Sequence, residues 1–452
     1  MQATTGKIGW KVAKLSLNVA SVRYRALLPV LALQEAGKNC HVFADYDACN
    51  LDGLSLLVIV KGLIPNDLEL ARKAHERGIP LVLDLCDCIF VENYGGAHYS
   101  VQPPKTFLAM AEFASAIVVP TEPLADVVRD QTNNRIPVLV IPDGIDSSEL
   151  QSRAQQVVQQ AISDARNREL VPTTKPLLRT RAAEPQHAGW NKFRKKLSRK
   201  YKKLLTAVRN EGLGAIVKKQ QAKCLKLLRK QFTLRITPVT CQSYTQSSIQ
   251  TPTQIVTPPT QSPMNDDAQR IMWFGNHGAP YARFGMLDLL EIRPALEQMA
   301  SERDAILVVI SDNRDKYQQH IKPLKIKSEY IAWNPTVVEQ EFARASVVVI
   351  PNPLETFSIC KSANRAVLAL KHGVPVVATE TPALRPLAGC IVLNDFENGL
   401  RAYLTDRRKA EADVELGQQL IEVLYGQKQT LLEWSQVIEH ALSGSQAAQR
   451  AA

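Results

Sequence analysis

Short unbroken apolar runs alternate with longer segments of 3.6-residue period through the first third of the chain. The runs lie at Lys7–Ala13, Cys40–Ala44, Leu56–Val60, Pro80–Leu85, Ala116–Pro120 and Pro137–Pro142, and their length and β-branched content predict strands. Between them, Tyr24–Ala36 and Asp67–Arg77 carry the helical period, the second with Asn66-Asp67 as its predicted cap. Runs that are apolar throughout, rather than alternating, predict a parallel sheet covered on both faces.

The same grammar restarts near Gln269. Strands are predicted at Arg270–Phe274, Ala305–Ile310, Tyr330–Trp333, Ser346–Ile350, Val374–Thr379 and Cys390–Leu393. Helices are predicted at Met286–Ala300, Thr336–Ala345, Ser362–Lys371 and Glu397–Leu404, before a polar helical tail from Lys409 to Leu442. The fold class this implies is α/β: two doubly wound, Rossmann-like domains facing each other across a cleft. Ligands are expected at the carboxyl ends of both sheets.

Between the units the pattern changes. Trp190, Phe193, Leu197, Tyr201, Leu204 and Val208 form one apolar helical stripe on a lysine- and arginine-rich surface. After Gly212 and Gly214 a second stripe follows, through Ile216, Val217, Cys224, Leu227, Leu228 and Phe232. Thr237 to Pro263 is Thr, Gln, Ser and Pro without period, the composition of a flexible linker. The predicted order is a first domain over 1–150, a basic helical insertion over 151–236, a linker over 237–268 and a second domain over 269–452.

Charge confirms that the middle stands apart. The net charge is +11, but residues 171–235 carry nineteen Lys and Arg against two acidic residues, leaving the rest of the chain at −6. The basicity therefore belongs to one segment. An anionic lipid surface would suit its aromatic stripe over 190–232, and packing on the protein itself or on a partner would suit it too. Nucleic acid is the weaker reading, because no aromatic readout module accompanies the charge. Met1–Ser21 lacks the apolar core of an export signal, and the eight cysteines show no framework or zinc-ligand spacing. These features predict a cytoplasmic protein, peripheral on the inner face of the membrane if the insertion binds lipid, with no metal and no cofactor.

Candidate chemistry concentrates in the second unit. Its first strand runs into Gly275-Asn276-His277-Gly278, a turn that permits backbone N–H groups to approach an anion. Lys361 and Arg365 stand four apart where a helix begins, and two cations there oppose the helix dipole unless an anion joins them. A diphosphate would serve, with Asn364 beside it for a ribose hydroxyl or a base edge. In the first unit, Asp84, Asp87, Glu92 and His98 cluster after a strand's carboxyl end. Asp87 or His98 could deprotonate an acceptor hydroxyl. Arg23 and Arg25, after the first strand, could reach phosphate across the cleft. No G-x-G-x-x-G follows that strand, which weighs against a dinucleotide dehydrogenase.

The order Lys361-Ser362-Ala363-Asn364-Arg365, then Gly373-Val374-Pro375-Val376-Val377-Ala378, resembles the nucleotide-sugar half of bacterial GT-B glycosyltransferases of group 1. Ser21-Val22-Arg23-Tyr24-Arg25, Asp84-Leu85-Cys86-Asp87 and Pro142-Asp143-Gly144-Ile145-Asp146 resemble the partner half. The likeness covers roughly 1–146 and 269–442. It implies transfer of a sugar from a nucleoside-diphosphate sugar to a glycan or lipid-linked acceptor, as in surface polysaccharide or glycolipid synthesis. Gly275, Asn276, Arg283, Glu355, Lys361, Asn364 and Arg365 would lie on the donor side. The family's paired glutamates, counted back from Gly373, would fall on Cys360 and Leu368, which leaves the stereochemical outcome open. That departure keeps a non-catalytic GT-B-like scaffold as the alternative, and a sugar-nucleotide epimerase as a third reading.

Overall fold

The computed structural model describes residues 6–95, 102–169 and 269–451. His98 and the basic helices and linker expected between 170 and 268 lie outside the described residues. Two six-stranded sheets, parallel throughout, account for the apolar runs. The first has the order β2-β1-β3-β4-β5-β6, from β1 (Lys7–Lys11), β2 (Cys40–Phe43), β3 (Leu54–Val60), β4 (Leu81–Asp84), β5 (Ala114–Val119) and β6 (Val138–Val140). The second has the order β12-β11-β10-β7-β8-β9, from β7 (Gln269–Phe274), β8 (Ala305–Ser311), β9 (Lys327–Ala332), β10 (Val347–Ile350), β11 (Val376–Ala378) and β12 (Val392–Leu393). Each expected strand overlaps an observed one. The interior of β3, Leu56 to Ile59, is at most 1% exposed, as a strand covered on both faces must be.

Several element boundaries differ from expectation, for local reasons. The helical segment after β1 opens with a short α-helical turn, Ala20–Val22, and passes through a π-helical turn, Arg23–Leu27, into the helix Leu28–Glu35. A π-helical turn rotates the residues before it relative to a regular helix. Asn66-Asp67 does not cap the next helix. That helix begins at Pro65, and Asp67 reaches back to the amides of Leu63 and Ile64 at 2.9 and 3.2 Å. The helix expected over Met286–Ala300 is a 3-10 segment, Met286–Ile292, and then a helix, Arg293–Glu302. Pro294 marks the restart, because it has no N–H to continue the preceding ladder.

Two helices also change domain. Ser148–Glu169 is not the start of the insertion; its Ala154 and Val158 are buried with Val30, Leu31 and Val42 of the first domain. The tail is two helices broken at Gly426. Arg407–Tyr425 buries Ile421 and Tyr425 in the second domain. Gln427–Ala451 returns to the first, where Trp434 meets Trp10 edge to face at 5.4 Å between centroids. The last helix therefore fastens the chain's end to the first domain.

A further apolar cluster joins the domains directly: Phe357 and Cys360 of the second are buried with Leu85, Cys88 and Ile89 of the first. Thr121 donates to the Cys360 carbonyl at 2.9 Å, and the Ile145 amide to the Tyr425 carbonyl at 3.0 Å. Among the described residues no helix is long and apolar enough to cross a membrane.

Candidate functional site

The carboxyl ends of both sheets open onto one cavity of about 1170 Å³. That is somewhat above the roughly 300–1,000 Å³ usual for small-molecule sites, for which crevices at strand ends are a common location. From the first domain it is walled by Arg23, Arg25, Lys61, Asp87, Asp143 and Asp146. From the second it is walled by Gly275–Gly278, Asn352, Lys361, Ser362, Asn364 and Arg365.

Arg23 and Arg25, expected from the sequence to reach phosphate, line the cavity but are also paired with carboxylates of their own domain. Arg25 is 1% exposed and spends its guanidinium on Asp84 (2.8 to 3.1 Å), on Asp143 (3.2 Å) and on the Ile141 carbonyl (2.7 Å). Burial opposes its charge, but Asp84 and Asp143 outweigh it and hold the pKa above its ordinary value. Arg23 pairs with Asp146 at 2.9 Å and donates to the Leu17 carbonyl. These pairs tie the helical segment after β1 to β4 and to the turn after β6.

The glycine turn is also less open than expected. The amides of Gly275, His277 and Gly278 already donate, to the Ile310 carbonyl (3.0 Å), to Asp312 (3.2 Å) and to the Asn276 side chain (2.8 Å). His277 Nδ1 lies 2.7 Å from Asp312, and Lys316 donates to the His277 carbonyl at 3.0 Å. The glycines are needed for a different reason. Gly278 has φ +101°, and a Cβ on it would lie 2.5 Å from the Phe284 carbonyl oxygen. Gly285 has φ +107°, and its Cβ would lie 2.5 Å from the Gly278 amide nitrogen. The loop from 275 to 285 closes tightly on itself, so its shape is fixed.

Arg283 and Glu355 are not among the residues that line the cavity. They face each other at 3.7 Å, and Arg283 also pairs with Glu291. Their expected part in donor binding finds no support in this placement.

Lys361 and Arg365 do reach the cavity, but not as neighbours on one helical turn. The helix begins at Asn364, after a single turn over Thr356–Ile359, and Lys361 and Ser362 sit in the bend between them. The helix cap, Ala363, offers no side-chain acceptor. The first amides of Asn364–Lys371 therefore lack a partner from their own helix, and Asn364, Arg365 and Ala366 line the cavity. Arg365 projects beside them and donates to the neutral Asn352 carbonyl oxygen at 2.8 Å. Loss of water lowers its pKa to about 10, only partly offset by the charge of Asp288. This guanidinium is short of a counter-ion. Asp288 is itself pushed up to about 6 by burial, despite accepting from the Gly285 amide at 2.7 Å.

Lys361 lies over the Phe357 ring, 4.2 Å from its centroid, and reaches across the cleft to Asp87. The other oxygen of Asp87 is 2.5 Å from the ammonium of Lys61. Burial alone would raise the Asp87 pKa, but the two lysines hold it well below the usual carboxylate range. At rest Asp87 is an ionised, weak base. Sequence reading missed Lys61. It is the first residue beyond the apolar run of β3, at φ +53° with its amide on the Asp84 carbonyl at 2.7 Å. A strained, charged residue at the mouth of a central strand is a recurrent functional signature. Sequence reading also did not anticipate Ser362, which donates to Asp143 at 2.5 Å, or Lys371, which donates to the Asp146 carbonyl at 2.9 Å.

Residues 268–421 match the family described as Glycosyl transferases group 1. No match was found among curated protein sequences. Solved structures share the two-domain architecture. Sucrose-phosphate synthase from Thermosynechococcus elongatus aligns with a TM-score of 0.51 at 11% identity, over 97% of this chain and 100% of that one. HepE from Anabaena, solved with UDP and glucose, aligns at 0.50 and 11%, over 96% and 99%. The α,α-trehalose 6-phosphate synthase from Burkholderia multivorans aligns at 0.50 and 11%, over 99% and 99%. The two-domain frame is the GT-B fold.

Proposed function

We propose that this chain, a GT-B protein whose residues 268–421 form a Glycosyl transferases group 1 domain, moves a sugar from a nucleoside-diphosphate sugar to an acceptor hydroxyl. The observation that carries the reading is the under-compensated guanidinium of Arg365 beside the open start of the helix Asn364–Lys371, on the wall of a cavity large enough for donor and acceptor together. A diphosphate is the ligand that supplies what both lack. The UDP and glucose named for HepE support that choice of ligand class.

In the reaction, the acceptor oxygen bonds to the anomeric carbon as the bond from that carbon to the diphosphate oxygen breaks. Negative charge grows on the diphosphate. Lys361, Arg365 and the helix amides oppose it most strongly at that moment, which is what accelerates the step. The acceptor's proton would pass to a base on the first-domain wall, and Asp87, which lines the cavity, is our candidate for it. Asn364 lines the same wall as Arg365 and would meet the nucleoside. The acceptor is a glycan or a lipid-linked saccharide, and the segment over 190–232 would bring the enzyme to an anionic membrane face.

The test is a panel of UDP-, GDP- and ADP-sugars incubated with the protein, with release of nucleoside diphosphate as the readout. Slow hydrolysis of one of them is expected without acceptor. No binding and no turnover with any would favour a non-catalytic scaffold, the reading that the missing glutamate pair keeps open.

A further inference from the structure

Asp87 occupies an unusual position in the cleft. One carboxylate bridges two ammonium groups, Lys61 from its own domain and Lys361 from the other. All three line the cavity, with side-chain exposures of 27%, 17% and 35% for Lys61, Asp87 and Lys361. Lys361 has no second anionic partner among the described residues; its other close contacts are the faces of Phe357 and Phe284, at 4.2 and 5.4 Å. Those rings set the ammonium over a surface it can slide across, since a cation keeps its attraction to a ring face over a broad area. Lys61 is fixed differently. Its left-handed backbone and the hydrogen bond from its amide N–H to the Asp84 carbonyl hold it at the end of β3.

We propose that Asp87 is an exchangeable counter-ion of Lys361: the donor's diphosphate takes Lys361 from Asp87, and Lys61 retains the carboxylate on the acceptor side. The proposal rests on the nucleotide-sugar reading above and deepens it. No bond is made or broken in the exchange, and one ammonium passes between two anions. Its consequence is an order of events. While Lys361 is on Asp87, both ammonium groups disfavour protonation of the carboxylate. Once the diphosphate holds Lys361, only Lys61 does, and Asp87 accepts a proton more readily. Lys61 is thus a positioning residue, which keeps Asp87 from following Lys361 towards the donor.

The sign of the expected effect separates this account from a merely structural pair. Asp87→Asn removes the competing anion while keeping shape, so it should tighten binding of the nucleoside diphosphate of the active donor by about tenfold while glycosyl transfer collapses. Asp87→Glu, which keeps the charge, should leave that affinity near the parent value. In a Lys361→Ala background the tightening by Asp87→Asn should shrink to less than half, because its route runs through Lys361. Calorimetry with UDP, GDP and ADP on the full chain, with circular dichroism to confirm folding, reads all of these. Unchanged or weaker binding by folded Asp87→Asn overturns the exchange. So does a tightening of equal size with and without Lys361. If instead Lys361→Ala alone leaves nucleoside diphosphate binding intact, the donor-site reading itself fails.

Discussion

Arg25 and Arg365 are both arginines on the wall of one cavity, and their surroundings give them opposite work. Arg25 has two carboxylates and a carbonyl for its five donors and is closed to solvent. Arg365 has one neutral amide and a carboxylate that acts on it only through space. A buried cation with its counter-ions in place is a structural tie. One without them is a site awaiting an anion. The same contrast divides the two walls of the cleft. The first-domain wall is neutralised by Asp84, Asp143 and Asp146, while the second-domain wall leaves positive charge facing the cavity.

The largest effect should come from the closed side. Arg25→Ala strands Asp84 and Asp143 in the interior, and loss of about 3–5 kcal/mol of stability is expected, read from urea unfolding. If that variant unfolds like the parent, the tie is not a tie. On the open side, Arg365→Ala should leave the unfolding midpoint almost unchanged. It should weaken nucleoside diphosphate binding by roughly ten- to hundredfold, the worth of one charge-assisted contact.

Gly278→Ala tests whether the loop between those walls must hold its shape. Its φ of +101° and the Phe284 carbonyl at 2.5 Å from a new Cβ predict about 1–3 kcal/mol of strain. This should appear as a lowered melting temperature and as weaker donor binding together.

The smallest effect concerns Asp288, and it depends on pH. Its folded pKa, pushed up to about 6, lies above its ordinary value of 3.8. The folded state therefore binds the proton more tightly than the unfolded state does. That stabilisation is complete below about pH 4 and is lost as pH rises through 6. Relative to Asp288→Asn, the parent should gain stability as pH falls from 7 to 4. Parallel melting curves across that range would refute the shift.

The strands were legible because a strand covered on both faces must be apolar along its length, and each run in the sequence is local. Leu54–Val60 and Val347–Ile350 needed no distant information to be recognised. The cations of the site were legible in the same way, as residue types after strands. Their functions were not. Arg25 meets Asp84 from 59 residues away and Asp143 from 118, and Lys361 meets Asp87 from 274. Whether a cation is spent or free is decided by those long-range partners, and no local pattern carries them. The last helix misled for a related reason. The tail was expected to be polar, yet Trp434, Val437, Ile438 and Ala441 of its last helix are buried, and the domain they cover is chosen by the fit to Trp10 across the fold.

One calorimetric titration bears most directly on the second-domain wall as the anion site. The parent and the double variant Lys361→Ala, Arg365→Ala are each titrated with whichever of UDP, GDP and ADP gives heat with the parent. One-to-one binding by the parent and at least a hundredfold loss in the folded double variant are expected. Equal binding by both would contradict the assignment.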